Sequence, residues 1–177
     1  MSGQVAVRPV TLDDVPALTA LLTANRDHLA PWDPLRPDEY WTEERQWHDT
    51  ARLLDLHRLG AVLPGVVVLD GEPAGRVNVN NVVRGAFLSG DLGYWVSRHV
   101  TGRGVATAAV AAMARWAFGE AGLHRLQAGT LLHNAASQRV LRKSGFTPIG
   151  LAPRYLCIAG RWQDHVLFQL LHEPGIR

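Results

Sequence analysis

The first third of the chain changes its hydrophobic period from that of a strand to that of a helix. Residues 4–10 alternate apolar and polar side chains, which predicts a strand. Thr11 can cap a following helix, whose apolar residues recur at helical spacing: Val15, Leu18, Leu21 and Leu22. Two prolines mark a predicted loop over residues 28–34. A second helix is predicted from Pro37 to Leu59. Proline is favoured at the first position of a helix, and glycine, here Gly60, is favoured just after its last residue.

The middle of the chain predicts three consecutive strands and then a buried helix. Residues 61–69 form a β-branched run, residues 74–83 alternate, and residues 87–97 hold a third strand. The turn residues at 70–72 favour a hairpin between the first two of these strands. Residues 101–107 then open a helix that continues to about residue 120. This helix is rich in alanine and almost uncharged, which is typical of a helix covered on several sides.

The last third predicts a strand over residues 125–132, a short helix over residues 134–144 and a closing hairpin. Gly145 suits the position after that helix, and residues 146–159 and 162–171 are the two hairpin strands. The resulting order is neither a regular alternation of strands and helices nor all strands. We therefore expect an α/β (α+β) fold, with a mixed sheet and helices on both faces, in a single domain over residues 1–177.

Composition limits the classes of function. The chain has 177 residues, of which 47% are hydrophobic and 19% charged, a globular composition. Its net charge of +2 does not support binding of nucleic acid by bulk charge, and we expect no direct nucleic-acid partner. Cys157 is the single cysteine and no histidine has companions at ligand spacing, so no metal is expected. No apolar run is long enough to span a membrane and the N-terminus does not resemble a signal peptide, which predicts a soluble cytoplasmic protein without a membrane partner.

Residues 101–107 carry the clearest chemical signal. Gly102 and Gly104 stand one residue apart between a strand and a helix, where glycine lets backbone N–H groups converge and the helix N-terminus favours an anion. A dinucleotide-binding fingerprint would need a third glycine where Thr107 stands. A nucleotide-binding P-loop would need a lysine here, and the only lysine of the chain is Lys143. The segment predicts a pyrophosphate cradle of another kind or, as the simpler alternative, a tight turn without a ligand.

Two motifs give these residues a family resemblance. Residues 102–107, Gly-Arg-Gly-Val-Ala-Thr, resemble motif A of the GNAT acyltransferases, with Thr101 where that family usually has Gln or Arg. The segment from Asn134 to Ser137, followed by residues 143–146, resembles the second signature of the family. Residues 25–32 and 91–96 are similar to the branch that acetylates N-terminal alanine or serine of ribosomal proteins. The resemblance implies the GNAT fold, a mixed, mostly antiparallel sheet of six to seven strands that is splayed between strands 4 and 5.

The resemblance also implies acetyl-CoA as co-substrate and indicates where it binds. The backbone of motif A would hold the pyrophosphate: Thr101, Gly102, Arg103, Gly104, Val105, Ala106 and Thr107. The pantetheine would pair with the strand backbone at Tyr94, Trp95 and Val96, where one N–H would stabilise the thioester oxygen, while the side chains of Tyr94 and Trp95 only pack. Asn134 would contact the pantetheine or cap its helix. Positive charge on the last helix comes from Arg139, Arg142 and Lys143, which would meet the 3′-phosphate of CoA or form only the solvated face of the helix; Arg142 is assigned to CoA and Arg139 to the solvated face.

Acyl transfer further needs a base for the amine and a proton for the leaving thiolate. Leu141 stands where many relatives carry a tyrosine acid, so the resemblance assigns Ser137 to the leaving sulfur; alternatively, Ser137 only occupies the first turn of its helix. It assigns Asp91 as the base, acting through a water molecule; alternatively, Asp91 is a solvated acid. His165 is the second candidate base, although packing within the closing hairpin is the favoured alternative for it. The acceptor side would be lined by His28, Trp32, Tyr155 and His165.

These assignments predict an N-acyltransferase that moves an acetyl group from acetyl-CoA directly to a primary amine. Cys157 lies outside both motifs, which argues against a covalent thiol intermediate. The favoured acceptor is the α-amine of a protein, with a ribosomal protein as the candidate. The alternatives are a small-molecule amine (an antibiotic, polyamine or metabolite, also with another acyl-CoA) and a non-catalytic acyl-CoA-binding module. The oligomeric state is left open, with a homodimer as one arrangement.

Overall fold

One seven-stranded sheet runs through the computed structural model, which describes residues 3–172. The strand order is β1-β2-β3-β4-β5-β7-β6, and β4 and β5 are parallel whereas all other neighbours are antiparallel. The predicted mixed, mostly antiparallel sheet is therefore confirmed. The strands are β1 (Val5–Pro9), β2 (Leu63–Leu69), β3 (Glu72–Val83), β4 (Ser89–Val96), β5 (Arg125–Leu131), β6 (Thr147–Ile158) and β7 (Arg161–Leu171).

Helices cover both faces of this sheet, as predicted. They are α1 (Val15–Ala24), α2 (Arg26–Leu29), α3 (Glu43–Arg58), α4 (Val105–Gly119) and α5 (Ala135–Lys143). On one face the alanine-rich α4 packs its buried side, including Val110 and Met113, against Val77 and Val79 of β3. On the other face Leu18 of α1 packs against Val66 of β2. Within residues 3–172, no helix combines the length and apolar character needed to cross a membrane.

The helix predicted from Pro37 to Leu59 is shorter in the structure. Asp38–Trp41 form a 3₁₀ turn, and Thr42 has an extended backbone that interrupts the helix. The Thr42 hydroxyl accepts a hydrogen bond from the backbone N–H of Arg45 (3.3 Å), so α3 begins after Thr42. An N-cap threonine followed by two acidic residues is a stronger helix start than Pro37. The predicted loop over residues 28–34 likewise begins inside the short helix α2.

The two parallel strands part soon after they meet. β4 and β5 pair only through Ser89–Arg125, Gly90–Leu126 and Asp91–Gln127. Beyond Asp91, β4 continues to Val96 alongside β3 alone, and β5 continues to Leu131 alongside β7 alone. The predicted splay between strands 4 and 5 is therefore confirmed.

Candidate active site

A cavity of about 770 Å³ lies where β4 and β5 part. The end of β4 forms its middle wall, from Gly93 to Val96. Because successive side chains of a strand point to opposite faces of the sheet, β4 divides the cavity into two sides. We call them the α4 side and the loop side. The α4 side is formed by Thr101, Gly102, Gly104–Thr107, Asn134, Ser137, Arg139 and Lys143, and the loop side by His28, Trp32, Asp33, Arg36, Tyr40, Arg76, Asn78 and Asn80.

The glycine loop on the α4 side has the geometry of an anion site. Gly102 (φ +75°) and Gly104 (φ +81°) both have left-handed backbone, and a Cβ placed on either would meet no protein atom within 4 Å. Gly104 is the N-cap of α4, and the first helical hydrogen bond runs from the N–H of Ala108 to the Gly104 carbonyl (3.0 Å). The N–H groups of the first turn therefore lack intrahelical partners and point at the approach to the helix. These donors and the open space fit a pyrophosphate, with no part for the Arg103 side chain, which does not line the cavity.

The backbone of β4 offers hydrogen bonds to the cavity at every second residue. Ser97 N–H donates to the Ala74 carbonyl of the neighbouring segment (2.8 Å). Since this direction alternates along an antiparallel pair, the N–H and C=O groups of Trp95 also face β3, whereas those of Tyr94 and Val96 face the parting. This corrects the expectation for Trp95, whose backbone is already paired and whose side chain lies on the loop side. Tyr94 and Val96 are the residues able to pair with an extended pantetheine.

Ser137 and Tyr94 form a hydroxyl pair on the wall of the cavity. Asn134 caps α5 by accepting a hydrogen bond from the Ser137 N–H (3.0 Å), which fixes the Ser137 backbone. The Ser137 Oγ lies 2.8 Å from the Tyr94 hydroxyl. Burial raises the pKa of Tyr94 to about 12, although its hydrogen bond to Ser137 acts in the opposite direction, so the phenol keeps its proton at neutral pH. The side chain of Tyr94, expected only to pack, is thus part of the site.

The cations of α5 are arranged differently from the expectation. Arg139 and Lys143 are four residues apart on one face of α5 and both line the cavity. Arg142 does not line it, and its guanidinium lies over the ring of the buried Phe168, 5.7 Å from the ring centroid. The structure therefore corrects the assignment of Arg142 to CoA, and Arg139, expected on the solvated face, is placed beside Lys143 on the cavity wall.

On the loop side the structure supports the predicted places of two residues and corrects two others. His28 and Trp32 line the cavity. Tyr155 and His165 do not. His165 is only 3% exposed, its Nδ1 lies 2.9 Å from the Gln163 carbonyl oxygen, and its ring packs edge-on against Tyr155. The register of β7 places His165 opposite Leu131 of β5, where it packs inside the hairpin instead of facing an acceptor.

Asp91 lies at the point where β4 and β5 part, but it does not line the cavity. Its carboxylate accepts a hydrogen bond from the Asn81 side chain (2.9 Å). Its neighbour on β3, Asn80, does line the cavity. A role for Asp91 as base would therefore need a bridging water, and this role stays a prediction.

Sequence reasoning did not identify most of the polar residues on the loop side: Asp33, Arg36, Tyr40, Arg76, Asn78 and Asn80. Burial raises the pKa of Asp33, with the nearby Arg36 acting in the opposite direction. Arg76, Asn78 and Asn80 alternate with buried valines along β3, so they were detectable as a polar row on a face that helices were predicted to cover. Within the described residues 3–172, no group of three or more His, Cys, Asp or Glu side chains is placed to hold a metal ion.

The chain is similar to known acetyltransferases over most of its length. Residues 4–147 match the family described as acetyltransferase (GNAT) domain. The [Ribosomal protein uS5]-alanine N-acetyltransferase of Escherichia coli is 34% identical over 172 residues, a match that covers 96% of this chain and 88% of that protein.

Solved structures of two acetyltransferases are also similar to the chain. Mycobacterium smegmatis RimJ in complex with CoA-disulfide superimposes with a TM-score of 0.92 at 36% identity, over 96% of this chain and 83% of that one. The ribosomal-protein-S5-alanine acetyltransferase of Vibrio fischeri superimposes with a TM-score of 0.90 at 32% identity, over 94% of this chain and 92% of that one.

Proposed function

The chain belongs to the GNAT acetyltransferase family, and we propose that its acceptor is the α-amine of a protein N-terminus. It is an acetyl-CoA-dependent N-acetyltransferase. The observation that carries the proposal is the similarity over at least 94% of the chain to two acetyltransferases named for the alanine of a ribosomal protein. A ribosomal protein is accordingly the proposed partner, and the cytoplasm, where ribosomal proteins are made, is the proposed location.

The two sides of the cavity suit the two substrates of such a transfer. Acetyl-CoA would lie on the α4 side, with its pyrophosphate on the backbone of residues 102–107, its pantetheine along Tyr94 and Val96, and its phosphates near Arg139 and Lys143. The acceptor would enter from the loop side. The amine nitrogen and the thioester carbonyl then meet beside β4, at the place where that strand has no partner on one edge.

The transfer forms a C–N bond, breaks the C–S bond, removes one proton from the amine and delivers one proton to the thiolate. A backbone N–H of β4 that faces the parting, at Tyr94 or Val96, would stabilise the charge that develops on the carbonyl oxygen. Ser137 would donate the proton to sulfur. Tyr94 would replace that proton, because its raised pKa keeps the phenol protonated and its oxygen lies 2.8 Å from the Ser137 Oγ.

Two carboxylates are the candidates for the base that assists loss of the amine proton. Asp91 would act through a water near Asn80, and Asp33 lines the loop side directly. An α-amine has a pKa near 8, so either weak base suits it better than a lysine side chain, whose pKa is about 10.4. Asp91→Asn and Asp33→Asn, assayed from pH 6 to pH 9, separate the two. The variant that removes the base loses kcat/KM mainly below the pKa of the amine, and a curve parallel to wild type excludes that residue as the base.

An acceptor panel tests the proposed function. Release of free CoA thiol is followed with peptides that start with Ala or Ser, with the same peptides blocked at the α-amine but carrying an internal lysine, and with a polyamine and an aminoglycoside. We expect turnover and a mass gain of one acetyl group only on the free N-termini. Acetylation of the polyamine or the aminoglycoside, without acetylation of any N-terminus, would overturn the proposal in favour of a small-molecule acceptor.

A further inference from the structure

Arg76 places an uncompensated positive charge on the loop side of the cavity. It lies on β3, across from Trp95 of β4. Among residues 3–172, no carboxylate lies within 4.0 Å of its guanidinium. The acids that act on it from further away, Asp14 and Asp49, form their own ion pairs, at 2.5 Å with Arg8 and at 3.0 Å with Arg45.

The guanidinium of Arg76 also has hydrogen-bond donors to spare. Within the described part of the chain its one hydrogen bond is long, 3.4 Å to the Thr50 hydroxyl, whereas a guanidinium carries five N–H donors. The two nitrogens without a partner, Nε and Nη1, are not sealed off from solvent, so their donors are open to the cavity that the residue lines. Burial lowers the pKa of Arg76, yet an arginine side chain keeps its charge at neutral pH. A largely buried cation without a partner carries an uncompensated desolvation cost, and an anion that binds to it would offset this cost.

The residues around Arg76 favour an anion as well. Arg36 lies over the ring of Tyr40, with its guanidinium carbon 4.5 Å from the ring centroid, and its Nε lies 3.9 Å from the Asp33 carboxylate. That pair offsets the charge of Arg36, so the charge of Arg76 is the net positive charge of the loop side. Asn78 is neutral; its side-chain oxygen accepts a hydrogen bond from the Gly65 N–H (3.1 Å), which leaves its amide N–H groups as donors. Among the described residues lining the cavity, Asp33 is the only carboxylate. A second cationic group on the acceptor would therefore meet repulsion here.

We propose that Arg76 binds a carboxylate of the acceptor, so that the enzyme selects N-termini with an acidic side chain at the second or third residue. The position follows from the register, because Arg76 lies directly across from Trp95, between the two β4 residues beside which the amine reacts. Neighbouring strands are about 5 Å apart and an extended peptide advances about 3.3 Å per residue, so a carboxylate one or two residues along the acceptor reaches the guanidinium. The inference rests on the proposed protein N-terminal acceptor and specifies its class.

Peptides that differ at one residue test the inference. Three peptides start with Ala-Glu, Ala-Gln or Ala-Lys and are otherwise identical, and a second set carries the same change at the third residue. We expect wild type to favour the Glu peptide over the Gln peptide by about 10-fold to 100-fold in kcat/KM in at least one set, since a charge-assisted hydrogen bond gives a ratio of that order. The Lys peptides are expected to be poorer than the Gln peptides.

Variants then assign the preference to Arg76. Arg76→Gln is expected to lose the Glu preference while its kcat/KM on the Gln peptide stays within about 3-fold of wild type, because only the pair of the guanidinium and the carboxylate is removed. Arg76→Lys keeps the charge but not the planar fork and is expected to retain part of the preference. Arg58→Gln is the matched control, since it removes one positive charge from the exposed last turn of α3, where Arg58 pairs with Asp55, and leaves the preference intact.

CoA affinity, measured for each variant, shows that the fold is intact. If Arg76→Gln does not fold, Arg76→Lys and the wild-type ratios decide. Equal rates on the Glu and Gln peptides in both sets, with acetylation of both, would overturn the role of Arg76 and leave the proposed function standing. A Glu preference that persists unchanged in Arg76→Gln or Arg76→Lys would also overturn it. Failure to acetylate any free N-terminus would overturn the proposed function, and the inference with it.

Discussion

Gly104→Ala is the most direct test of the anion site at the start of α4. At φ +81° an L-residue is strained by about 1–2 kcal/mol, which for a chain of this size corresponds to a fall in Tm of about 2–8 °C. The new methyl group would meet no protein atom within 4 Å, so it adds no clash inside the protein. It would instead project into the space through which a pyrophosphate approaches the backbone N–H groups. We expect a fall in CoA affinity of at least about 10-fold, the loss of one charge-assisted hydrogen bond.

Two other glycines separate backbone strain from loss of binding. Gly122 (φ +64°) and Gly71 (φ +92°) bracket Gly104 in backbone angle, and a Cβ at either also meets nothing within 4 Å. Both lie outside the cavity. Gly122→Ala and Gly71→Ala should therefore lose similar stability and keep wild-type CoA affinity. Calorimetric titration with CoA gives the CoA affinity of all three variants, and thermal unfolding gives their stability. Equal CoA affinity in Gly104→Ala and the two controls would refute the assignment of the loop to the pyrophosphate.

Three further predictions concern the donor side and the stability of the fold. Ser137→Ala is expected to lower kcat by about 10-fold to 100-fold with little change in the KM for acetyl-CoA. Adding Tyr94→Phe should bring no further loss of kcat, since Tyr94 acts through Ser137. If steady-state kinetics show that the effects of the two substitutions multiply fully, this relay is contradicted. Lys143→Gln is expected to raise the KM for acetyl-CoA, most at low salt, whereas Arg142→Gln should leave it unchanged, and the reverse result would restore the original assignment of Arg142. The guanidinium of Arg8 holds the pKa of Asp14 at about 2, below its usual 3.8. This carboxylate therefore stabilises the fold above pH 4, and the contribution is lost as the pH falls towards 2. Asp14→Asn should lower the free energy of unfolding by about 1 kcal/mol at pH 7, and chemical unfolding should show that the difference from wild type disappears in acid.

Local signals in the sequence were sufficient for the order of the strands and for the position of the glycine loop before α4. The strands and most helices follow from periodicity, and the two glycines before α4 mark a backbone geometry that the structure shows at those residues. The helix predicted from Pro37 failed because two start signals compete within a few residues. The capping hydroxyl of Thr42 and the acids after it outweigh a proline at the first position.

The acceptor side was less predictable because its residues meet only through the sheet. Trp95 and Arg76 are neighbours through strand register, and no local pattern states which residue of β3 faces which residue of β4. The same is true of His165, whose place opposite Leu131 removes it from the cavity. The alternation along β3 did indicate a row of polar residues. That this row lines a cavity depends on tertiary packing, which the alternation does not specify.

Because β4 and β5 part, β4 should show the deuterium-exchange pattern of an edge strand although it lies in the middle of the sheet. The amides of Gly93 and Trp95 face β3 and should exchange slowly, whereas those of Tyr94 and Val96 face the parting and should exchange fast. Protection along β4 would then alternate with a period of two residues. Among the amides of β4, pantetheine that pairs with this edge would slow exchange only at Tyr94 and Val96. These two amides would therefore report occupation of the donor site without any acceptor or turnover.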